Sequence, residues 1–365
     1  MTRSSSTAGV HTIAEILSEP QIWTQCLTQL QESGELVSLN QKLNKNVEWI
    51  FVGCGSSFYL AQIAAASWSI LTGTPARAIP ASEILLFPKL FPVPCQPVFI
   101  SRSGRTSEAV EAARYAEREL KIKTLAVTCG SGTPIEEVCS HVIRLSPADE
   151  KSTVMTRSFT SMLLALQALA AERGERKDFL KALRALPGQV APRLNDMQVT
   201  VRSLVDSRAY ADYVFLGQGP FFGVAQESML KVKEMSCSYA QAFHTLEFRH
   251  GPKAIVSPET LITFFLSESG FPEEVSVLEE IKELGGATFV VSNSTNAAIR
   301  GSADYLIELS LDFPEVARAA AAVVAGQLLG FYTGMRKGFD PDQPRNLSRV
   351  VMLDGRDGGS NRATT

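Results

Sequence analysis

The second part of the chain repeats the first, and this duplication limits the possible fold more than any other feature of the sequence. The segment EWIFVGCGSSFYLAQIAA, which begins at Glu48, resembles ADYVFLGQGPFFGVAQESM, which begins at Ala211. Three further pairs follow in the same order at a nearly constant separation: PVFISRSGRTSEAV with ITFFLSESGFPEEV, KTLAVTC with ATFVVSN, and HVIRLS with YLIELS. Such order and spacing indicate two copies of one structural unit.

Each half alternates short apolar runs with helix-forming segments. The runs of the first half are Trp49–Val52, Val98–Ile100, Leu125–Thr128 and Val142–Leu145. Apolar strands that alternate with helices predict a parallel sheet covered by helices on both faces. We therefore expect an α/β protein with a helical lead-in at residues 1–39, a first domain at 40–195, a second domain at 205–338 and a crossing C-terminal tail at 339–365.

Composition removes several classes of function. The 35 basic and 38 acidic residues leave a net charge of −3, so we expect no binding to nucleic acid or to an anionic membrane. The apolar stretch Ala319–Met335 is short for a membrane span and predicts a buried helix. The first ten residues lack the apolar core of a signal peptide, and the six cysteines form no C-x-x-C pair. We therefore expect a cytoplasmic protein with free thiols.

No cofactor or metal is expected either. The four histidines lack the spacing of a zinc site. Phe58 and Phe222 stand where a dinucleotide-binding G-x-G-x-x-G motif requires its last glycine.

Two loops of the first half suit a phosphate group. Gly53–Ser57 follows one strand, and Ser101–Thr106 follows another and leads into a strong helix former. Hydroxyls and N–H groups at a helix N-terminus bind anions, although Ser and Thr there can also serve only as helix caps. In the second half Glu268 would repel phosphate and Pro272 replaces the last hydroxyl. The sequence therefore predicts one phosphate site per chain.

Acid–base chemistry is suggested by the helix that follows Gly219. Glu227, Lys231 and Glu234 share one helical face. A carboxylate beside an ammonium can be kept ionised and aimed at a proton on a carbon next to a carbonyl. The same spacing also fits a solvated salt-bridged face, and the pattern leaves both readings open.

His250 lies in a turn before Gly251 and Pro252, where it could transfer protons or only form local hydrogen bonds. His141 falls on a predicted strand and is expected to be structural. His244 has no clear partner in the sequence.

With these residues in hand, the chain resembles the tandem SIS (sugar isomerase) family. The pattern is closest to the isomerase half of glutamine-dependent glucosamine-6-phosphate synthase, through G-C-G-S-S, S-R-S-G-R-T, ESMLKVKE, EFRHGP and DQPRNL. F-R-H-G-P-K also resembles stand-alone amino-sugar-phosphate isomerase/deaminases and fructosamine-phosphate deglycases. The resemblance implies two flavodoxin-like three-layer αβα SIS domains and no cofactor.

The resemblance also assigns roles. Glu234 matches the base that moves a proton between the first two sugar carbons, and Lys231 lies on the same helix. His250 matches a ring-opening histidine supplied by the neighbouring subunit of a homodimer. The remaining matches are expected to bind substrate. The sugar 6-phosphate would be held by hydroxyls of a first group, which is Ser57, Ser101, Ser103 and Thr106, with Arg102 in the same loop. The sugar would be faced by a second group, Ser152 and Thr153.

Three departures from the synthase alter the expected reaction. The lead-in follows Met1 and Thr2 directly, so we expect no glutaminase domain and no internal ammonia source. Arg349 stands where the synthase has a Schiff-base lysine, and arginine cannot be that nucleophile. The phosphate loop S-R-S-G-R-T is also more cationic than the synthase's S-Q-S-G-E-T.

We therefore expect an enzyme that enolises an amino-sugar or ketosamine 6-phosphate, with isomerisation or loss of the amine as the outcome. A fructosamine-6-phosphate deglycase and a non-catalytic sugar-phosphate sensor are the alternatives. Glu234 and His250 argue against a pure sensor.

Overall fold

Two five-stranded parallel sheets form the frame of the protein. The computed structural model describes residues 8–352. The first sheet contains β1 (Glu48–Gly53), β2 (Ala76–Pro80), β3 (Cys95–Ile100), β4 (Leu125–Thr128) and β5 (His141–Arg144). The second contains β6 (Asp212–Gly217), β7 (Tyr239–His244), β8 (Thr260–Phe265), β9 (Ala287–Ser292) and β10 (Tyr305–Glu308).

Both sheets have the same strand order, which confirms the duplicated flavodoxin-like fold. The orders are β2-β1-β3-β4-β5 and β7-β6-β8-β9-β10, and every pair of neighbours is parallel. In such an order the chain reverses direction across the sheet between the first and third strands, where ligands usually bind. In the first sheet this point lies between β1 and β3, directly beside the two predicted phosphate loops.

Helices cover both sheets and form the lead-in. In chain order they are α1 (Val10–Leu17), α2 (Glu19–Glu32), α3 (Glu35–Lys42), α4 (Ser56–Thr72), α5 (Ala81–Leu86), α6 (Ser107–Arg118), α7 (Pro134–Val138), α8 (Arg157–Arg173), α9 (Lys177–Val190), α10 (Leu194–Ser207), α11 (Pro220–Ser236), α12 (Phe271–Glu283), α13 (Ala297–Ser302) and α14 (Ala319–Arg336). Short 3₁₀ turns occupy several of the remaining connections.

One hydrophobic core joins the two sheets. It contains residues from α4, α8, α11 and α14 together with one face of each sheet, while the opposite faces pack into two smaller cores. The segment Glu315–Arg336 is apolar enough to span a membrane, but 94% of its apolar window is buried inside the protein. The expected buried helix is therefore confirmed. Gly326 makes the contact with α11 close, because a Cβ there would lie 2.3 Å from that of Ser228.

The two glycines of each G-x-G segment have the same structural role in both halves. Gly55 and Gly219 immediately precede α4 and α11, with φ of 55° and 52° and ψ of −127° in both. This backbone region strongly favours glycine. Gly53 and Gly217 allow the helix to approach the strand, since a Cβ would lie 2.4 Å and 2.2 Å from a backbone oxygen.

The C-terminal tail returns from the second half to the lead-in and the first half. Asp342 accepts hydrogen bonds from the backbone N–H groups of His11 (3.0 Å) and Thr12 (2.7 Å) at the start of α1. Further along, the Val351 carbonyl accepts a hydrogen bond from the Ser107 N–H at the start of α6 (3.3 Å). The tail thereby reaches the edge of the predicted phosphate site.

Candidate functional site

An open cleft of about 180 Å³ lies at the carboxyl ends of β1 and β3. Residues from five separate parts of the chain form its wall: Cys54, Gly55, Ser56 and Ser57; Arg102, Ser103 and Thr106; Thr153 and Met155; Glu234; and Ser348, Arg349 and Val351. The fold thus brings the predicted phosphate loops, the predicted base and the tail to one place.

The N-termini of α4 and α6 both face this cleft with small hydroxyl side chains. Ser57, Ser103 and Thr106 line it. Ser101 is buried behind them, and its Oγ donates to Thr106 Oγ1 (3.3 Å). The Ser103 Oγ accepts the N–H of Arg105 (3.2 Å). Two helix N-termini with neighbouring hydroxyls form an environment that favours an oxyanion, because the helix dipoles point their positive ends at the cleft.

Arg102 has a different position from the one expected for a phosphate ligand. Its side chain is 5% exposed and forms an ion pair with Glu150 (3.3 Å). Its guanidinium also donates to the carbonyls of residues 152–154 and to the carbonyl of Arg349 (3.1 Å). Arg102 touches the cleft wall, but its donors hold together the loop after β5 and the tail.

The loop at residues 152–154 divides its side chains between the cleft and the interior. Thr153 lines the cleft. Ser152 is buried, and its hydroxyl donates to Glu15 of α1 and to the Val154 carbonyl. Ser152 was predicted to contact substrate, but its side chain does not line the cleft in this structure.

The charged face of α11 is buried, so the solvated-face reading of its spacing is wrong. The Lys231 and Glu227 side chains are both 0% exposed, and their charged atoms lie 3.2 Å apart. Lys231 also forms an ion pair with Glu234, whose side chain is 18% exposed where it borders the cleft. The helix thus leads from a buried carboxylate, through a buried ammonium, to a carboxylate that reaches the cleft.

The charges of this buried group influence one another. Burial raises the pKa of Glu227 to about 8, although Lys231 opposes the shift. Burial alone would lower the pKa of Lys231, but the two carboxylates outweigh it and raise that pKa. Lys231 is therefore held as an ammonium beside the carboxylate at the cleft.

Arg349 is the tail residue that adds charge at the cleft. Its guanidinium donates to Asp149 (2.8 Å) and its side chain is 44% exposed. Since the donors of Arg102 are taken by protein groups, Arg349 is the more accessible cation of the cleft wall described here.

The histidines lie apart from the cleft. His250 is exposed, in a turn after the 3₁₀ segment Glu247–Arg249, and does not belong to the cleft wall of its own chain as described over residues 8–352. His244 stacks on Phe222 with ring centroids 3.7 Å apart, and burial lowers its pKa. His141 begins β5, in agreement with the expected strand position.

In the second half the corresponding loop already binds carboxylates of the same chain. Glu315 accepts the N–H groups of Glu268 and Ser269 and the Ser269 hydroxyl (2.6 Å). Glu274 accepts the N–H and hydroxyl of Ser267. Carboxylates of the same chain thus occupy the donors of this loop, and one phosphate site per chain stays a prediction.

Sequence reasoning missed two residues that organise the site. Ser56 of α4 contacts the buried charges of α11, but the G-C-G-S-S motif drew attention to Ser57 instead. Glu150 accepts hydrogen bonds from Thr156 and Ser158 in addition to its pair with Arg102. The one sequence signal for Ser56 and Glu150 is that each lies in a segment rich in Ser, Thr or Glu just after a predicted strand.

Known proteins share both the sequence pattern and the fold. The model of the SIS domain matches residues 42–172 and 212–328. A glutamine–fructose-6-phosphate aminotransferase of Methanothermobacter thermautotrophicus is 25% identical over 94% of this chain and 57% of its own length. Another from Pseudomonas putida is 29% identical over 85% of this chain and 52% of its own. The chain thus spans a little over half the length of these relatives.

Two solved structures resemble the whole chain. A glucosamine-6-phosphate deaminase from Thermotoga maritima matches with a TM-score of 0.79 at 27% identity, over 94% of this chain and 99% of the other. A tagatose-6-phosphate ketose/aldose isomerase from Escherichia coli has a TM-score of 0.84 at 22% identity, over 98% and 99% of the two chains, and shows the fold alone. With matches in both halves, the duplicated sheets and the cleft between β1 and β3, the chain belongs to the SIS domain family.

Proposed function

We propose that the protein is a phosphosugar isomerase or deaminase that enolises an amino-sugar or ketosamine 6-phosphate. One observation carries the proposal: Glu234 borders the same cleft as the hydroxyl-rich N-termini of α4 and α6. A sugar phosphate held by those N-termini would present its carbonyl end to a carboxylate supported by a buried ammonium. The relatives named above act, by their names, on hexose or hexosamine phosphates, which supports this substrate class.

In this proposal the first half binds and the second half reacts. Ser57, Ser103 and Thr106 take the 6-phosphate. Glu234 removes a proton from the carbon beside the carbonyl and returns it to the neighbouring carbon, giving an enediol or enolamine between the two steps. Lys231, buried beside Glu234, keeps that carboxylate ionised and aimed at the cleft.

Loss of the amine is the preferred outcome for an aminated substrate. For a ketosamine, protonation of the enolamine at the second carbon gives an imine at the first carbon, and water hydrolyses it to an aldose phosphate and the free amine. For a 2-amino sugar, protonation at the first carbon gives an imine at the second, and hydrolysis gives a ketose phosphate and ammonia. Arg349 is always protonated and supplies charge rather than a nucleophilic amine. The lack of a nucleophilic amine at position 349 favours deamination or deglycation over synthesis of an amino sugar from a ketose.

We expect ring opening to use an imidazole, and within residues 8–352 the cleft wall of one chain contains none. His250 is exposed on the second half, and its position outside that wall favours a homodimer in which a second copy supplies the imidazole. Measurement of molar mass by light scattering, together with mixing of His250→Asn and Glu234→Gln chains, tests this part. Partial recovery of activity in the mixed dimers is expected if the two residues act in different subunits, and no recovery contradicts it.

The main experiment is a panel of hexose, hexosamine and fructosamine 6-phosphates. We would follow exchange of the proton beside the carbonyl and release of ammonia or amine. Glu234→Gln should lower turnover at least about 10²-fold while sugar-phosphate binding persists. Glu279→Gln, at an exposed position of α12, is the matched control and should match the wild type. Unchanged turnover in Glu234→Gln refutes the assignment, and ligand-dependent binding of another protein without turnover of any sugar phosphate favours the sensor.

A further inference from the structure

The Ser56 hydroxyl joins the two halves of the protein at the cleft. Ser56 is the first residue of α4 and is 6% exposed. Its Oγ donates to Glu227 Oε1 (3.0 Å) and accepts a hydrogen bond from Lys231 Nζ (3.2 Å), both on α11. A neutral hydroxyl therefore lies between a buried carboxyl group and a buried ammonium.

Few other groups face this part of α11. Lys231 and Glu234 lie on the helix itself. Tyr59 of α4 lies nearby: burial raises the pKa of its hydroxyl, and the negative charges of Glu227 and Glu234 raise that pKa further. Helix α14 also packs against α11, with Gly326 near Ser228 and Gly330 near the Lys231 backbone, and has no charged side chain before Arg336. Within residues 8–352, Glu227 Oε2 is buried without a hydrogen-bond partner. Ser56 and Lys231 are thus the two donors to this carboxylate in the described part of the chain.

The backbone of Ser56 belongs to the predicted phosphate loop. Gly55 places the start of α4 through its positive φ of 55°. The next side chain, Ser57, lines the cleft, whereas the Ser56 side chain bonds to α11. Any shift of this loop on binding an anion must move the Ser56 hydroxyl relative to Lys231.

We propose that Ser56 is a positioning residue, which couples occupancy of the first-half phosphate loop to the alignment of Lys231 and Glu234. This inference rests on the function proposed above. Ser56 acts through Lys231, which bonds to the carboxylate at the cleft. A sugar phosphate that engages the loop would then set the reacting carboxylate, whereas a sugar without phosphate would leave the alignment loose.

Kinetics separate this role from substrate binding. Ser56→Ala should lower kcat about tenfold or more and leave KM within about twofold, and Ser56→Thr should restore most of the loss because it keeps the hydroxyl. The matched control is Ser67→Ala, which removes a buried hydroxyl of the same helix that bonds instead to Gln167 (3.2 Å). Its kcat should stay near that of the wild type. A change confined to KM in Ser56→Ala overturns the proposal.

A second measurement does not depend on turnover. In protein labelled with ¹³C at the glutamate carboxyls, the Glu227 resonance is assigned by its loss in Glu227→Gln and titrated with pH. Ser56→Ala removes a hydroxyl that donates to this carboxylate, so the pH midpoint of the Glu227 titration should rise. The midpoint should not rise in Ser67→Ala. Inorganic phosphate should shift the midpoint more in the wild type than in Ser56→Ala.

The titration of Glu227 and the turnover assay test different claims, so each can refute its own claim without the other. Equal midpoints in wild type and Ser56→Ala, or equal phosphate shifts, overturn the coupling even if the enzyme is active. A wild type that turns over no sugar phosphate refutes the proposed function, and the midpoints still decide whether Ser56 links the loop to α11.

Discussion

Replacement of Arg102 by methionine distinguishes a structural clamp from a phosphate ligand. In the structure the Arg102 guanidinium pairs with the fully buried Glu150 and donates to four carbonyls. Removing one partner of a buried ion pair costs about 3–5 kcal/mol, because the other charge is left uncompensated. Thr156 and Ser158 still donate to Glu150, so we expect a loss near the lower limit, about 3 kcal/mol.

Thermal unfolding of the ligand-free protein measures this loss. At about 2.1 cal/mol/K per residue, the entropy of unfolding for 365 residues is roughly 0.8 kcal/mol/K. A loss of about 3 kcal/mol should therefore lower Tm by about 4 °C. Arg102→Lys keeps the charge but cannot reach all acceptors, and we expect it to recover only part of the loss.

Arg105→Met is the matched control for this experiment. Arg105 lies in the same loop, is exposed and donates to the Gly132 carbonyl (3.3 Å), so its Tm should change by less than about 1 °C. An unchanged Tm in ligand-free Arg102→Met, combined with weaker stabilisation by inorganic phosphate, would refute the clamp and restore the phosphate role.

Three further variants test other parts of the structure. Glu315→Ala frees the donors of the second-half loop and should cost about 1–2 kcal/mol; inorganic phosphate should restore Tm more in the variant than in the wild type, and equal effects contradict the idea that Glu315 fills an anion site. Burial raises the pKa of Glu274 from 4.5 to about 7, so the folded state keeps a proton that the unfolded state releases, and stability should fall as pH rises between these values. Glu274→Gln should flatten this fall in urea unfolding, whereas parallel curves would disprove it. Gly326→Ala places a methyl group 2.3 Å from the Ser228 Cβ and should cost about 1–3 kcal/mol; Gly188→Ala, which meets open space in α9, should gain up to about 1 kcal/mol, and equal Tm values in the two variants would contradict the close packing.

The sequence was most informative where strands are fully buried. The runs predicted around Trp49, Val98 and Leu125 lie on β1, β3 and β4, because a parallel sheet covered on both faces requires continuous apolar residues. The run around Val142 lies on β5, a half-exposed strand at the edge of the sheet. The sequence missed β2 and β7, which are the edge strands beside β1 and β6. Both are partly exposed and carry polar residues such as Arg77 and Gln241, so no apolar run marks them. The other two edge strands, β5 and β10, were found because HVIRLS and YLIELS match in the repeat.

The sequence could not decide which partner a charged side chain would find. The family resemblance placed Arg102 among the substrate-binding residues, yet Glu150 and the tail occupy its donors. Likewise the spacing of Glu227 and Lys231 fitted a solvated face, and only the packing of α11 against α4 and α14 buries them. Partner choice depends on contacts between residues far apart in the chain, which helical spacing does not encode.

The sequence by itself determined the duplication, the strand-to-helix glycine turns and the hydroxyl-rich loops, because these depend on local backbone sterics and on the periodicity of apolar residues. The tertiary structure decided that the cleft combines the predicted phosphate loops of one half with Glu234 of α11 from the other. It also decided that the equivalent loop of the second half is filled by Glu315. The physical reason is that one shared core brings α4 and α11 together, and the buried charges at that contact are kept by the hydrogen bonds of Ser56 and Lys231.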